Sequence, residues 1–233
     1  MRILIATLAA LFSLNVAIAQ TTISFPTEDG GVVFADLYQS SEKTSSEKAV
    51  VLAHGGQFNK ESWRKQAQTL VSAGFEVLAI DFRGYGKSQG PGDSAPMDAP
   101  LHLDVLAAVH YLKQHGAKSV SVIGGSMGGG AAADASITAP AGEIDRLVLL
   151  GASPNQPADK LKSPVLYIVA RDDASGDGPR LPGIRKQFEK SPQPKELIVL
   201  DGSAHAQFLF QTDQADRVMK EILRFLLAKT PPQ

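Results

Sequence analysis

Uninterrupted apolar runs alternate along the chain with amphipathic stretches. The clearest runs predict strands buried on both faces of a parallel sheet: AVVLA, FEVLAI, SVSVIGG, DRLVLLG, PVLYIVA and ELIVL. Between the second and third runs, apolar residues from Leu101 to Leu112 recur at three- and four-residue steps, which predicts a helix with one face packed on a sheet. We therefore predict an α/β fold with a doubly wound, mostly parallel sheet and helices on both faces.

The beginning of the fold has a different pattern. Residues 21–38 alternate in polarity around the turn residues 29–31, which predicts an antiparallel hairpin, and the polar residues 40–48 predict a surface loop. Further helical stretches occur about residues 61–72, from 127, near 185 and from 214. Because no repeat or linker divides the sequence, we predict one domain over residues 20–233.

Residues 1–19 have the features of a signal peptide. Arg2 is their one charge, an apolar stretch follows, and Ala17, Ile18 and Ala19 form the small-x-small pattern of a cleavage site. The alternative, an uncleaved anchor, is disfavoured because the stretch is shorter than the roughly 20 residues of a spanning helix. We expect a periplasmic or secreted protein that starts at Gln20 and has no stable membrane insertion.

Composition excludes several classes of function. The chain is 43% hydrophobic and 20% charged, with a formal net charge of -1 and no dense Lys/Arg run, so we expect no nucleic-acid partner. It contains no Cys, which removes disulfides and thiol chemistry, and no paired Cys/His spacing is present. We therefore predict neither a metal nor another cofactor.

The strongest chemical motif lies between a predicted strand and a predicted helix. Residues 124–128 have the sequence GGSMG, which matches the G-x-S-x-G pattern of a serine nucleophile in a tight strand-to-helix turn. Flanking glycines leave the Ser126 hydroxyl clear, and the following helix directs the Met127 amide toward a developing oxyanion. The alternative is a phosphate-binding or simply close-packed turn, but the G-x-G-x-x-G order is absent.

A second glycine-rich turn ends the AVVLA strand. It has the sequence HGGQ over residues 54–57 and could direct another backbone amide toward Ser126. We predict the Gly56 amide as this second donor, with Gln57 as the alternative. His54 is interpreted as a hydrogen-bonded support of the loop rather than a base.

Together with residues 81–88, DFRGYGKS, these motifs resemble the α/β-hydrolase superfamily, in which D-x-R-G-x-G-x-S follows the fourth strand. Within the superfamily the chain resembles serine esterases and lipases and dienelactone hydrolases without a large cap domain, and the resemblance covers essentially all of residues 20–233. It implies an acid after the next-but-one strand beyond Ser126 and a histidine after the last strand. These places hold Asp173, with Asp172 and Asp177 as alternatives, and His205.

The resemblance also bears on the substrate. Members of the superfamily often carry a cap domain after the sixth strand, but here that connection is short, which predicts an open site for a small acyl ester. Gln57, Phe58 and Phe208 are predicted to line it, although the two aromatic rings are equally compatible with core packing. Epoxide and haloalkane chemistry on this fold would need an aspartate in place of Ser126.

The function predicted from these residues is hydrolysis of a carboxylic ester through an acyl-enzyme on Ser126. A thioesterase or a peptidase would use the same three residues and is the alternative within this chemistry. An exported binding protein that has lost activity on the same fold is the alternative from another class.

Overall fold

The structure is a computed structural model that describes residues 18–41 and 46–228. Its strands are β1 (Ile18–Pro26), β2 (Val32–Ser40), β3 (Lys48–Ala53), β4 (Glu76–Ile80), β5 (Ser119–Gly125), β6 (Leu147–Leu150), β7 (Val165–Ala170), β8 (Ala174–Ser175), β9 (Gly178–Pro179) and β10 (Lys195–Leu200). Its α-helices are α1 (Arg64–Ser72), α2 (Leu101–Gln114), α3 (Met127–Thr138), α4 (Leu181–Lys190) and α5 (Ala215–Leu227). Short 3₁₀ helices cover Lys60–Trp63, Pro96–Asp98, Ala158–Lys160 and Ala206–Gln211.

Within these residues, eight strands form one sheet in the order β1-β2-β4-β3-β5-β6-β7-β10. The β1–β2 and β2–β4 pairs are antiparallel, and the other pairs are parallel. The predicted doubly wound sheet and its opening hairpin are therefore confirmed. Because the carboxyl ends of the parallel strands share one edge, the loops that follow β3, β5, β7 and β10 meet there.

Alternate side chains of β3 belong to two separate cores. Ala49, Val51 and Ala53 pack with α2 and α3 on one face, whereas Val50 and Leu52 pack with α1 and α5 on the other. All five are at most 1% exposed. A strand buried on both faces needs apolar residues at every position, which explains the unbroken apolar runs in the sequence.

The DFRGYGKS loop fixes the opening hairpin to the body of the domain. Arg83 is fully buried, and its guanidinium donates hydrogen bonds to Asp104 on α2, to Asp29 in the hairpin turn and to the Pro91 carbonyl. Its hydrogen bonds lower the pKa of Asp29 to about 2. This one side chain therefore joins a turn, a loop and a helix.

We expect Arg83→Met to destabilise the protein by about 3–5 kcal/mol, because the buried Asp104 carboxylate loses its charged partner and keeps only the bond from the residue 83 amide. Urea unfolding followed by circular dichroism measures the change. Arg171→Met is the matched control, since its ion pair with Asp201 is exposed and contributes at most about 1 kcal/mol. Equal losses of stability in the two variants would contradict the assignment.

The connection between β6 and β7, residues 151–164, contains one 3₁₀ turn and no inserted domain. The prediction that a large cap is absent is therefore confirmed. The small β8–β9 hairpin after β7 was not expected, because two-residue strands are too short to show an alternating pattern. Among the helices that the structure describes, none is both long and apolar enough to cross a bilayer.

The predicted signal peptide falls largely outside the described residues. Its last two residues, Ile18 and Ala19, lie in β1 opposite Ser40 and Gln39. The prediction of cleavage after Ala19 stays a prediction.

Candidate functional site

The GGSMG motif forms the turn from β5 into α3. Ser126 immediately precedes the helix and has φ 51° and ψ -116°, a left-handed conformation that is strained for a residue with a side chain. Its amide donates to the Leu150 carbonyl at 3.0 Å, which anchors the turn to β6. The backbone therefore holds the Ser126 hydroxyl at the carboxyl edge of the sheet, as the motif predicted.

The two glycines that flank Ser126 in the motif are required sterically. A Cβ atom on Gly124 would lie 2.3 Å from the Gly128 carbonyl oxygen, and one on Gly128 would lie 2.4 Å from the Ala53 carbonyl oxygen. Both distances are far inside van der Waals contact, so neither position accepts a side chain without movement of the backbone. The close approach of α3 to β3 and β5 depends on these two residues.

A chain of hydrogen bonds leads away from Ser126. The Ser126 Oγ lies 2.8 Å from His205 Nε2, and His205 Nδ1 lies 2.8 Å from Asp173 Oδ2. Since a carboxylate only accepts, Nδ1 carries the proton and Nε2 is free to accept the hydroxyl proton. The structure thus brings together the three residues that the sequence predicted, from the loops after β5, β7 and β10.

The three candidate acids are placed differently. Asp173 is 1% exposed and faces His205. Asp172 is exposed, and its amide donates to the Gly202 carbonyl. Asp177 is exposed at the rim of the neighbouring cleft. Only Asp173 among these three therefore contacts His205.

The second carboxylate oxygen of Asp173 faces Arg180. Arg180 Nε lies 3.4 Å from Asp173 Oδ1, within ion-pair range, although the two atoms do not form a hydrogen bond. The Arg180 amide also donates to the Asp173 carbonyl at 2.9 Å, which closes the β8–β9 hairpin behind the acid. Arg180 is not predicted from the sequence, because nothing in its local pattern connects it with Asp173.

Gly151 is a second residue near His205 that the sequence pattern does not predict. It has φ +57°, and a Cβ atom there would lie 3.0 Å from His205 Nδ1 and 3.1 Å from Asp173 Oδ2. A side chain at this position would separate the acid from the histidine. A glycine directly after the strand next to the Ser126 strand was the available signal.

The oxyanion loop, residues 54–57, has a backbone held in a defined orientation. His54 is fully buried, its Nε2 accepts from the Phe82 amide, and its Nδ1 donates to the Gly55 carbonyl. Burial lowers the pKa of His54, which favours the neutral ring that this pattern requires. Tyr85 holds the next carbonyl, since its hydroxyl donates to Gly56 O at 3.0 Å. These bonds fit the interpretation of His54 as a loop support.

The backbone amides near Ser126 divide into used and unused donors. The Gly55 amide donates to the side-chain oxygen of Gln207, so it is not available to a substrate. No hydrogen bond among residues 18–41 and 46–228 uses the amide of Gly56, Gln57 or Met127. Because the Gly55 carbonyl points to His54, the Gly56 N–H of the same trans peptide points away from it. Gly56 and Met127 therefore stay the predicted oxyanion donors, with Gln57 still the alternative to Gly56.

A cleft of about 480 Å³ opens beside Ser126. Apolar side chains contribute part of its lining, namely Met97, Leu101, Met127 and Ile184, and polar ones contribute the rest, including His102, Asp134, Ser153, Asn155 and Arg180. Its size suits a small ligand with both apolar and polar groups.

The predicted substrate-contacting residues lie elsewhere around Ser126. The Phe58 and Phe208 rings pack against each other with centroids 4.8 Å apart, and neither ring lines the cleft. Phe58 instead borders a second groove of about 460 Å³ behind the oxyanion loop. Gln57 is exposed and lines neither space. A substrate role for these three residues stays a prediction.

The described parts of the chain contain no cluster of three or more His, Asp or Glu side chains arranged to hold a metal ion. In this region the polar groups around Ser126 are a hydroxyl, an imidazole, a carboxylate and unused backbone amides, which are the kinds of group that acyl transfer uses.

Comparison with known proteins identifies the family. The family described as "alpha/beta hydrolase fold" matches residues 48–211, so the chain belongs to the α/β-hydrolase family. Similar proteins include an epoxide hydrolase of Caballeronia sordidicola, 39% identical over 67 residues, which are 28% of this chain and 20% of that protein. A non-heme haloperoxidase of Rhodococcus erythropolis is 34% identical over 109 residues, 47% of this chain and 38% of that protein. A bifunctional esterase/perhydrolase of Acinetobacter calcoaceticus is 31% identical over 128 residues, which are 55% of this chain and 44% of that protein.

Solved structures resemble the chain over nearly its whole length. The esterase of Pyrococcus furiosus has a TM-score of 0.70 with 22% identity and covers 91% of this chain and 92% of its own. The dienelactone hydrolase of Anabaena variabilis has a TM-score of 0.71 with 20% identity, and the match covers 90% of this chain and 97% of its own. These likenesses establish the fold, and the chain spans less than half the length of the three curated relatives above.

Proposed function

We propose that this protein is a serine hydrolase that cleaves carboxylic esters through an acyl-enzyme on Ser126. The observation that carries the proposal is the hydrogen-bond chain from Ser126 through His205 to the buried Asp173, with both distances at 2.8 Å. The esterase among the related proteins and the esterase among the similar structures support an ester as the substrate. Epoxide chemistry is not proposed, because the nucleophile position holds a serine.

The reaction follows from the positions of these atoms. Ser126 Oγ attacks the ester carbonyl carbon while its proton passes to His205 Nε2, and the carbonyl electron pair moves to the oxygen. The Gly56 and Met127 amides donate to that oxyanion. Collapse of the intermediate expels the alcohol, which takes the proton from His205. Water then attacks the acyl-enzyme by the same route and releases the carboxylic acid.

The cleft suggests the size of the acyl group. A volume of about 480 Å³ and a mixed lining favour a short or polar acyl chain over a long alkyl chain that needs a tunnel. Thioesters and amides would react through the same intermediates, and a panel of matched esters, thioesters and anilides ranks the three leaving groups by kcat/KM.

The experiment that tests the proposal is reaction with a fluorophosphonate, which modifies an activated serine without assuming a substrate. We expect a single adduct, located on Ser126 by peptide mass, and none in Ser126→Ala. Ser153→Ala is the matched control, because this serine lines the same cleft and does not contact His205. Folded protein that stays unmodified at Ser126 would contradict the proposal and favour a binding function.

We also propose that the protein is exported, on the basis of the cleavage pattern at Ala17 to Ala19. The same mass spectra, recorded on protein recovered from the periplasm or medium of a bacterial host, give its first residue. Export predicts a chain that starts at Gln20. Protein retained in the cytoplasm with residues 1–19 intact would contradict this part of the proposal.

A further inference from the structure

Gln207 connects the oxyanion loop to the loop that carries His205. It lies two residues beyond His205, is 4% exposed, and its Oε1 accepts the Gly55 amide at 2.6 Å. Its Nε2 donates to Ser62 Oγ at 2.8 Å, on the 3₁₀ helix that follows the oxyanion loop. The side-chain amide of Gln207 therefore binds two residues, Gly55 and Ser62, that lie 152 and 145 residues away in sequence.

The direction of every hydrogen bond in this network is determined by chemistry. The Gly55 N–H can only donate, so it faces the carbonyl oxygen of Gln207, and the Gln207 amino group must face Ser62. The Ser62 hydroxyl accepts that bond and donates its own proton to the Asn59 carbonyl at 2.5 Å. The orientation of the Gln207 amide is therefore fixed from both ends.

This orientation determines which peptide of the loop is available to a substrate. Gly55 lies close to the nucleophile, since a Cβ atom on Gly55 would lie 3.5 Å from Ser126 Cβ. If its amide had no partner, a substrate carbonyl at Ser126 could bind it instead of the Gly56 amide. Gln207 binds the Gly55 amide, and His54 binds the Gly55 carbonyl. The Gly55 N–H is part of the His54–Gly55 peptide, and the Gly55 carbonyl, which also accepts from the Phe58 amide at 2.9 Å, is part of the Gly55–Gly56 peptide. Because both peptides are held, rotation about the backbone bonds of Gly55 is restricted and the Gly56 N–H keeps one direction.

Gln207 is also packed tightly enough to transmit this restraint. A Cβ atom on Gly125, the residue before Ser126, would lie 3.2 Å from Gln207 Cγ, so the side chain lies directly against the nucleophile turn. Ala206, between His205 and Gln207, has φ 51°, which is unusual for alanine and directs consecutive side chains of this loop to different partners.

We propose that Gln207 is a positioning residue that fixes the oxyanion loop against the loop after β10, so that the Gly56 N–H faces Ser126. The proposal rests on the proposed serine-hydrolase function. It assigns to Gln207 no contact with the substrate. Gln207 holds the His54–Gly55 peptide, and this peptide limits the backbone torsions of Gly55 that set the direction of the Gly56 N–H. Such a residue affects the rate because it keeps the oxyanion donors in position. An amide that points in another direction loses its bond to the oxyanion in the transition state.

The test is Gln207→Met, which keeps the length and volume of the side chain and removes both hydrogen bonds. We expect kcat for a short ester to fall roughly 10- to 100-fold and KM to stay within about twofold, because the amide matters most when charge develops on the oxygen. Rates are expressed per active site titrated with the fluorophosphonate. The pH dependence of kcat/KM is expected to match the wild type, because the His205–Asp173 pair is unchanged.

Two further variants control the experiment. Gln211→Met is the matched control, since Gln211 is exposed on the same 3₁₀ helix, borders the same groove and does not contact the oxyanion loop. Ser62 is exposed, and Ser62→Ala removes the hydrogen bond that orients the Gln207 amide. We expect a smaller fall in kcat for this variant, of roughly threefold to tenfold. It provides the test if Gln207→Met does not fold.

The outcomes separate the two proposals. Absence of labelling and turnover in the wild type would overturn the proposed function. An active wild type with unchanged kcat in Gln207→Met would overturn the role of Gln207, as would unchanged kcat in Ser62→Ala if the first variant does not fold. A lower kcat accompanied by a shifted pH profile would place the effect on His205 and also overturn it. A lower kcat with unchanged KM and pH profile supports the proposal.

Discussion

His205→Ala is expected to lower kcat for ester hydrolysis by on the order of a millionfold while the fold stays intact. Without the imidazole nothing removes the Ser126 proton, and the alkoxide leaving group has no proton donor. Because Ser126 and His205 act in one step, the double variant Ser126→Ala/His205→Ala is expected to be no slower than either single variant. Initial rates with a chromogenic short-chain ester, measured against the uncatalysed reaction, give these values.

The control for this prediction is a histidine that lines the cleft beside Ser126. His102 lies on α2, lines the cleft and does not contact Ser126, so His102→Ala is expected to change kcat by less than about tenfold. Comparable losses in the two variants would mean that the imidazole next to Ser126 is not the general base.

Asp173→Asn is expected to reduce kcat by on the order of ten-thousandfold. The asparagine side chain presents an N–H to His205 Nδ1, which stabilises the tautomer that carries its proton on Nε2. In that tautomer Nε2 can no longer accept the Ser126 proton. The geometry around His205 should change little, so the loss is expected in kcat while KM and the melting temperature stay close to those of the wild type.

The neighbouring carboxylates provide controls of identical chemistry. Asp172→Asn and Asp177→Asn remove the same charge from exposed positions a few residues away, and we expect both to keep kcat within about twofold of the wild type. If Asp172→Asn or Asp177→Asn lost activity and Asp173→Asn retained it, the assignment of the acid would be wrong.

Local pattern predicted the eight strands of the main sheet and the five α-helices that the structure describes, but neither the β8–β9 hairpin nor the 3₁₀ helices. Strands buried on both faces have apolar residues at every position, and the ends of α2 and β5 follow directly from the sequence at Leu101–Gln114 and Ser119–Gly125. The Ser126 turn also follows from the sequence. Positions 124 and 128 have no room for a side chain, and the motif has glycine at both.

Resemblance to a family carried the prediction further, to residues that are remote in sequence. It proposed Asp173 and His205 for two loops, and the structure brings both to Ser126. Which of the three nearby aspartates contacts His205 depends on the tertiary structure, since burial and the direction of a side chain depend on how the loop after β7 packs. No local rule distinguishes a buried turn carboxylate from an exposed one.

Only the tertiary structure identified Gln207, Arg180 and Gly151. Their partners lie on other strands and loops, and each is ordinary in its own segment: a glutamine on a short helix, an arginine before a helix and a glycine after a strand. Sequence patterns report periodicity within one element, whereas these residues act between elements. The sequence by itself therefore determined which strands and helices form and where the nucleophile turn lies, and the packing of distant loops determined what surrounds it.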